Sequence, residues 1–192
     1  MTPKEETQLL ADLRSTDHEA RRHAQERLFH TYRPPLSRLL ARILGPDVDD
    51  CLQEVFLDVF AGLESFEGRA KLSTWIWRIA LRRAWKVAAS RRRGAHRHAD
   101  EPGLAEAAEA ATPEVGAHLA EAELAARFRA ALEHLDLDQR TVLALAALDG
   151  LGPAEVAEVL GLPVGTVHSR LARARERMRQ LLGIDKGRTA VE

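Results

Sequence analysis

PAEVAEVLGLPVGTVHSRLARARERM, residues Pro153 to Met178, reads as a short helix, a tight turn at Gly161-Leu162-Pro163, and a second helix loaded with arginine. Val156, Ala157 and Leu160 put an apolar stripe on the first helix, and Val167, Leu171, Ala174 and Met178 put one on the second. The other side of the second helix carries His168, Ser169, Arg170, Arg173, Arg177 and Arg179, side chains that contact phosphates and base edges. Two helices buried against each other, the second exposing hydrogen-bonding cations, is how a helix-turn-helix enters the major groove. Ligand-free bundles carry similar pairs whose arginines are simply a solvated face, so the rest of the chain must discriminate.

The 192 residues carry a net charge of −1, which looks wrong for a DNA reader until the charges are located. Asp47 to Glu67 holds seven acids and no Lys or Arg; Arg69 to His98 holds ten Lys or Arg and no acid. Ala99 to Ala126 again holds seven acids without a cation, and Arg170 to Arg179 holds five arginines against Glu176. Such segregation points to two kinds of partner, one polyanionic and one basic. The single cysteine, Cys51, excludes a disulfide framework and a cysteine-based metal cluster, and its helical neighbours Val48, Leu52 and Val55 make it a small core side chain. A charged first twenty residues and no apolar run of membrane length predict a cytoplasmic protein without membrane insertion.

No run alternates over strand lengths, so the periodicity predicts an all-α fold. Residues 4–44 read as helices that Arg33-Pro34-Pro35 separates or kinks, because proline disfavours helix in the residue before it. A further helix starts at Asp47 to Asp50 and runs through Leu63, a loop covers Phe66 to Lys71, and the next helix is entered at Ser73 or Thr74. The Ala-, Glu- and Pro-rich segment that follows has too few large apolar side chains to form a core, and periodicity returns near Leu124. The expected organisation is a domain over 1–93, a flexible acidic linker over 94–124, a second small helical domain over 125–183 and a tail over 184–192.

At about 100° per residue, Ile76, Trp77, Ala80, Leu81, Ala84, Val87 and Ala88 form one face of the helix after Ser73. Trp75, Arg78, Arg82, Trp85 and Lys86 fall on the other, a mixture of indoles and cations that suits nucleic acid: cations neutralise phosphates and indoles stack on bases. The two tryptophans equally fit packing against neighbouring helices, and the sequence leaves that open.

Asp49-Asp50-Cys51-Leu52-Gln53-Glu54-Val55-Phe56, Phe66-Glu67-Gly68 and Ser73-Thr74-Trp75-Ile76-Trp77-Arg78-Ile79-Ala80 resemble the second conserved region of bacterial sigma factors. Gly165 to Glu176, GTVHSRLARARE, resembles the end of their fourth region. With two domains and a short linker, the chain resembles the extracytoplasmic-function (ECF) class. That resemblance implies a promoter-specificity subunit of RNA polymerase, with no catalysis and no cofactor or metal of its own. Asp50, Gln53, Glu54 and Asp58 would meet the β′ clamp helices of core polymerase, with the β flap as a second polymerase contact. Ser65, Phe66, Arg69, Lys71, Trp75, Arg78, Arg82 and Lys86 would take the −10 element as melted strand, a base flipped into a pocket. Thr166, His168, Ser169, Arg170, Arg173 and Arg177 would read −35 duplex. An anti-sigma factor is the further partner the family implies.

The chain departs from the family pattern at Arg82, where Asn is common, at the helix entries Gly152 and Pro163, where Ser is usual, and at His168, which replaces a Lys or Arg. Two other classes remain to be weighed. A conventional helix-turn-helix regulator with a sensing or dimerisation domain shares the C-terminal motif but has no use for a second basic helix. An enzyme on nucleic acid lacks support: HExxH and Cys-His patterns are absent, His96 and His98 sit in an arginine-rich run, and Gly161 and Gly165 make no GxxxxGK[ST] loop.

Overall fold

The computed structural model describes residues 2–98, 117–147 and 151–184. Eight α-helices occur among them, with no strand: α1 Pro3–Leu13, α2 His18–Leu44, α3 Asp49–Gly62, α4 Leu72–His98, α5 Ala117–Glu133, α6 Leu137–Ala147, α7 Pro153–Leu160 and α8 Val164–Leu182. A 3-10 turn, Leu63–Ser65, follows α3. The acidic linker's middle, 99–116, and the tail from 185 lie outside the described residues. Helix nonetheless enters both ends of the 94–124 segment, since α4 continues to His98 and α5 begins at Ala117.

Pro34 and Pro35 do not separate two helices; both lie inside the 27-residue α2. Each proline removes a donor at a cost of about 3 kcal/mol. The carbonyls so freed are those of His30 and Thr31, exposed residues whose main chain water can satisfy. Tyr32, Leu36, Leu39, Leu40 and Ile43 are buried on both sides of the interruption. At about 1.5–3 kcal/mol for each large apolar side chain, their burial outweighs the lost bonds.

The entry to α4 also differs from the local reading. Ser73 and Thr74 lie within its first turn, Thr74 is buried, and the Leu72 N–H donates to Glu6 Oε1 at 2.8 Å. The carboxylate that satisfies this N-terminus therefore comes from α1, 66 residues away. At the far end of α2, the Leu44 carbonyl accepts from Arg91 (2.5 Å) and the Ile43 carbonyl from Arg140 (2.9 Å), cations at the negative pole of the helix.

The helix-turn-helix forms as its sequence dictates. Gly161 takes φ +65°, and the Leu162 N–H returns to the Ala157 carbonyl at 3.0 Å, closing α7 with a left-handed turn that glycine tolerates best. Val156, Ala157 and Val159 of α7 pack with Val167 and Leu171 of α8. On α4, Ile76, Trp77, Ala80, Leu81 and Ala84 are buried as projected, and Ile79 joins them.

The two helical domains dock. Val142, Leu145, Val156 and Val167 belong to the same apolar core as Leu28, Leu39, Val55 and Ile76, with α6 against α2 and α7 against α4. Polar links between described residues also cross the join. Arg140 donates to the Ile43 carbonyl, Trp85 Nε1 to Thr141 Oγ1 (3.3 Å) and Arg78 to the Glu158 carbonyl (2.7 Å), and Lys71 pairs with Glu155 (3.2 Å). Two separate readers on a tether is thus an incomplete description of this chain, because nothing in a local pattern encodes which faces of two domains meet.

Candidate nucleic-acid and polymerase interfaces

Helix α8 presents His168, Ser169, Arg173 and Arg177 to solvent, while Thr166 and Arg170 are half-buried. The Ser169 hydroxyl donates to the Thr166 carbonyl at 3.0 Å, and Arg173 Nε to the Ser169 carbonyl at 3.3 Å, so both lie along the helix surface. Arg170 differs: its Nη1 sits 2.9 Å from Asp138 Oδ2 on α6. Sequence periodicity found the face but not this partner, which belongs to another helix.

The eight residues assigned to the unpaired strand divide. Ser65, Trp75, Arg82 and Lys86 line one cavity of about 510 Å³, with Asp58 and Arg83 on its wall. The Trp75 ring packs on Phe66, centroids 5.1 Å apart and tilted by 47°, and Phe66 is buried. On its other edge the indole lies against Gly62, where a Cβ would stand 2.8 Å from Trp75 Cζ2. Glycine at 62 is therefore what lets the indole occupy this place. Trp75 thus packs against Phe66 and Gly62 and also lines the cavity. Ser65 donates its hydroxyl to the Gly62 carbonyl at 2.9 Å.

The other members turn elsewhere. Arg69 is exposed and paired with Glu67, whereas Lys71 and Arg78 face α7 through Glu155 and the Glu158 carbonyl. The Gly152 N–H and then Lys71 hold the Glu155 carboxyl below the usual carboxylate range.

On α3, Asp50, Gln53 and Glu54 are exposed, and Asp58 is half-buried in a two-point contact with the Arg83 guanidinium. Arg83 also reaches Glu54, Nη1 to Oε2, at 3.1 Å. Hydrogen bonding to Arg83, with the charges of Arg83, Arg82 and Lys86, holds the Asp58 carboxyl below its ordinary value. Arg83 was not singled out in the sequence; its place four residues before Val87 on a basic helix carries no local sign of an acidic partner. Leu57 was also missed, 56% exposed beside Gln53 at the edge of an apolar depression of about 370 Å³ floored by Phe29 and Phe56. An apolar side chain on the polar side of α3 was the available signal.

An arginine-faced helix-turn-helix and a cation-walled aromatic cavity on one all-α chain are surfaces of the two kinds that suit duplex and unpaired nucleic acid. Residues 28–94 match the family model for Sigma-70 region 2, and residues 125–178 that for Sigma-70, region 4. The chain is 34% identical over 160 residues to the ECF RNA polymerase sigma-E factor of Haemophilus influenzae, covering 78% of this chain and 82% of that protein. It is 34% identical over 164 residues to the ECF RNA polymerase sigma factor SigM of Mycobacterium tuberculosis H37Rv, covering 84% and 79%. Among solved structures, CnrH in complex with the cytosolic domain of CnrY superposes with a TM-score of 0.63 at 25% identity, covering 94% of this chain and 99% of that one. The sigma factor RpoE of Bartonella quintana, solved with the anti-sigma factor NepR, has the same fold, with a TM-score of 0.62 at 23% identity over 84% and 98%. The chain belongs to the sigma-70 family, in its extracytoplasmic-function class.

Proposed function

We propose that this chain binds core RNA polymerase in the cytoplasm and directs promoter-specific initiation, without catalysing a reaction itself. Residues 1–93 hold polymerase and the −10 element, 94–124 link, and 125–183 hold the −35 element and the β flap. Thr166, His168, Ser169, Arg170, Arg173 and Arg177 serve duplex recognition. The observation that carries the reading is the cavity formed by Ser65, Trp75, Arg82 and Lys86 on a chain that already has a duplex reader. A duplex regulator has no use for an aromatic-floored cavity with cationic walls, whereas a flipped base stacks there while its phosphates meet guanidinium and ammonium groups. Energy from that capture offsets unstacking and holds the duplex open.

The docked arrangement is a resting form. The described residues, packed as one body, have a radius of gyration of about 15 Å and hence a span of roughly 40 Å, while sites about 25 base pairs apart lie roughly 85 Å apart along a duplex. One docked body cannot occupy both, and Lys71 and Arg78 become available to DNA only when α7 leaves them. An anti-sigma factor that holds the domains together would exploit this form; RpoE of Bartonella quintana was solved with the anti-sigma factor NepR, and CnrH with the cytosolic domain of CnrY.

Asp50, Gln53 and Glu54, with Leu57 beside them, supply the contact with the β′ clamp helices, and Asp58 braces that face through Arg83. Asp50→Lys is expected to weaken association with core polymerase by about tenfold, a loss of about 1.4 kcal/mol, while the melting temperature stays within about 2 °C. Fluorescence anisotropy of labelled chain titrated with core enzyme measures it, and unchanged affinity removes the α3 assignment.

A further inference from the structure

Consecutive residues of the turn after α3 face two different cavities. Gly62 and Ser65 line the Trp75 cavity; Leu63 and Glu64 line a second, larger opening of about 830 Å³. Its remaining wall comes from the junction of α1 and α2, including Arg14, His18, Arg21 and Arg22, with Phe60 at the edge. Three guanidinium groups and an imidazole thus face one carboxylate across a concave surface, next to the loop assigned to strand capture.

The local contacts show how the cations are held. Arg14 donates to the Phe66 carbonyl, which fixes this wall to the base of the −10 loop. The Arg21 Nη2 lies 2.9 Å from His18 Nδ1, at the first turn of α2. Arg22 pairs with Glu26 at 3.2 Å, but both side chains are more than half exposed. Such a solvent-screened surface pair is weak, so the guanidinium can exchange it for a phosphate at little cost. Convex cationic faces are ordinarily just solvated; a cavity focuses the potential of its wall and raises the local concentration of a polyanion.

We propose that this groove is a second binding site for the unpaired promoter strand, in which Arg21 and Arg22 take the backbone phosphates of nucleotides adjoining the captured base. The proposal rests on the strand-capture reading of the Trp75 cavity. A strand whose base sits there carries a negative charge on every neighbouring nucleotide, and the one turn Leu63–Ser65 lines both cavities, Ser65 the first and Leu63 and Glu64 the second. Arg14 acts as a positioning residue, since its guanidinium is committed to the loop. Glu64 is the one carboxylate among the groove's lining residues and lowers its net positive charge.

The test uses holoenzyme assembled from the full chain and core polymerase, with forked promoter DNA whose −10 strand is unpaired, at a promoter mapped by run-off transcription. Arg21→Ala and Arg22→Ala are each expected to weaken the complex about two- to fivefold near 0.1 M salt, and to flatten the log–log salt dependence by about 0.7 for each phosphate left without its cation. Single methylphosphonates then neutralise one phosphate at a time. At one or two positions beside the captured base, the substitution is expected to cost the parent chain affinity and to cost the Arg21→Ala or Arg22→Ala chain nothing further. Losses that add at every position, coupling only to phosphates of the duplex part, or a loss that follows core affinity each overturn the proposal. Arg82→Ala separates the two claims: if it leaves strand capture intact the cavity reading fails, whereas a loss there without coupling at Arg21 and Arg22 removes the groove alone.

Discussion

Arg83 shows how one side chain ties two surfaces together. Its guanidinium holds Asp58 in the cavity wall and reaches Glu54 on the exposed face of α3, so α3 and α4 share a cation. Asp58 has a folded pKa below its unfolded value, so its contribution is complete above the unfolded pKa and is lost as pH falls through the folded one. Asp58→Asn is therefore expected to lower the melting temperature by up to about 3 °C at pH 7, a modest shift because the pair is partly solvated. The two melting temperatures should begin to converge as pH drops below about 4, the ordinary carboxylate range, and meet only below the depressed folded value, where the parent carboxylate is itself protonated. Scanning calorimetry from about pH 2 to 8 measures this, and a gap that stays undiminished from about pH 7 to the acid end would assign Asp58 a role other than its charge. The sequence showed Asp58 as one acid among seven and Arg83 as one cation among ten, because an ion pair between helices leaves no mark on either helix's own pattern.

At the scale of elements, α7 and α8 were legible almost entirely. Val167, Leu171, Ala174 and Met178 are the buried residues of α8, and Gly161 makes the turn, because periodicity and a left-handed glycine are local properties. The start of α4 and the continuity of α2 were not. A cap from Glu6 and the burial flanking Pro34 and Pro35 are tertiary effects that override local propensity. The same distinction divides the arginines of α8. Arg173→Ala is expected to reduce −35 duplex binding by holoenzyme about five- to tenfold with no change in melting temperature, as for an exposed contact. Arg170→Ala should reduce binding and also lower the melting temperature, since it strips Asp138 of its partner between α6 and α8. Filter binding beside thermal unfolding distinguishes them; equal stability of the two variants would show that the Arg170–Asp138 pair does not brace the motif.

At the scale of the whole molecule, charge segregation and the two basic helices were readable and pointed to a polyanionic and a basic partner, while the class came from the resemblance of Asp49 to Phe56, Ser73 to Ala80 and Gly165 to Glu176 to sigma-factor regions. The docked pairing of α4 with α7 and α2 with α6 was not readable, because it depends on shape across two separately patterned domains. It explains why Lys71, Arg78 and Trp85 are engaged by the second domain instead of facing solvent alone. With dyes at Lys4→Cys and Gln180→Cys in a Cys51→Ser chain, energy transfer is expected to be high for the free protein and to fall when core polymerase is added. Efficiency that stays constant through formation of the promoter complex would remove the resting-form reading.

Promoter-directed initiation itself is tested by run-off transcription with purified chain and core polymerase across genomic fragments. Discrete start sites are expected that neither component yields alone, each preceded by a common pair of −35 and −10 sequences. A chain that binds duplex tightly as a dimer without polymerase, and yields no run-off product with it, would contradict the assignment and return the helix-turn-helix to a conventional regulator.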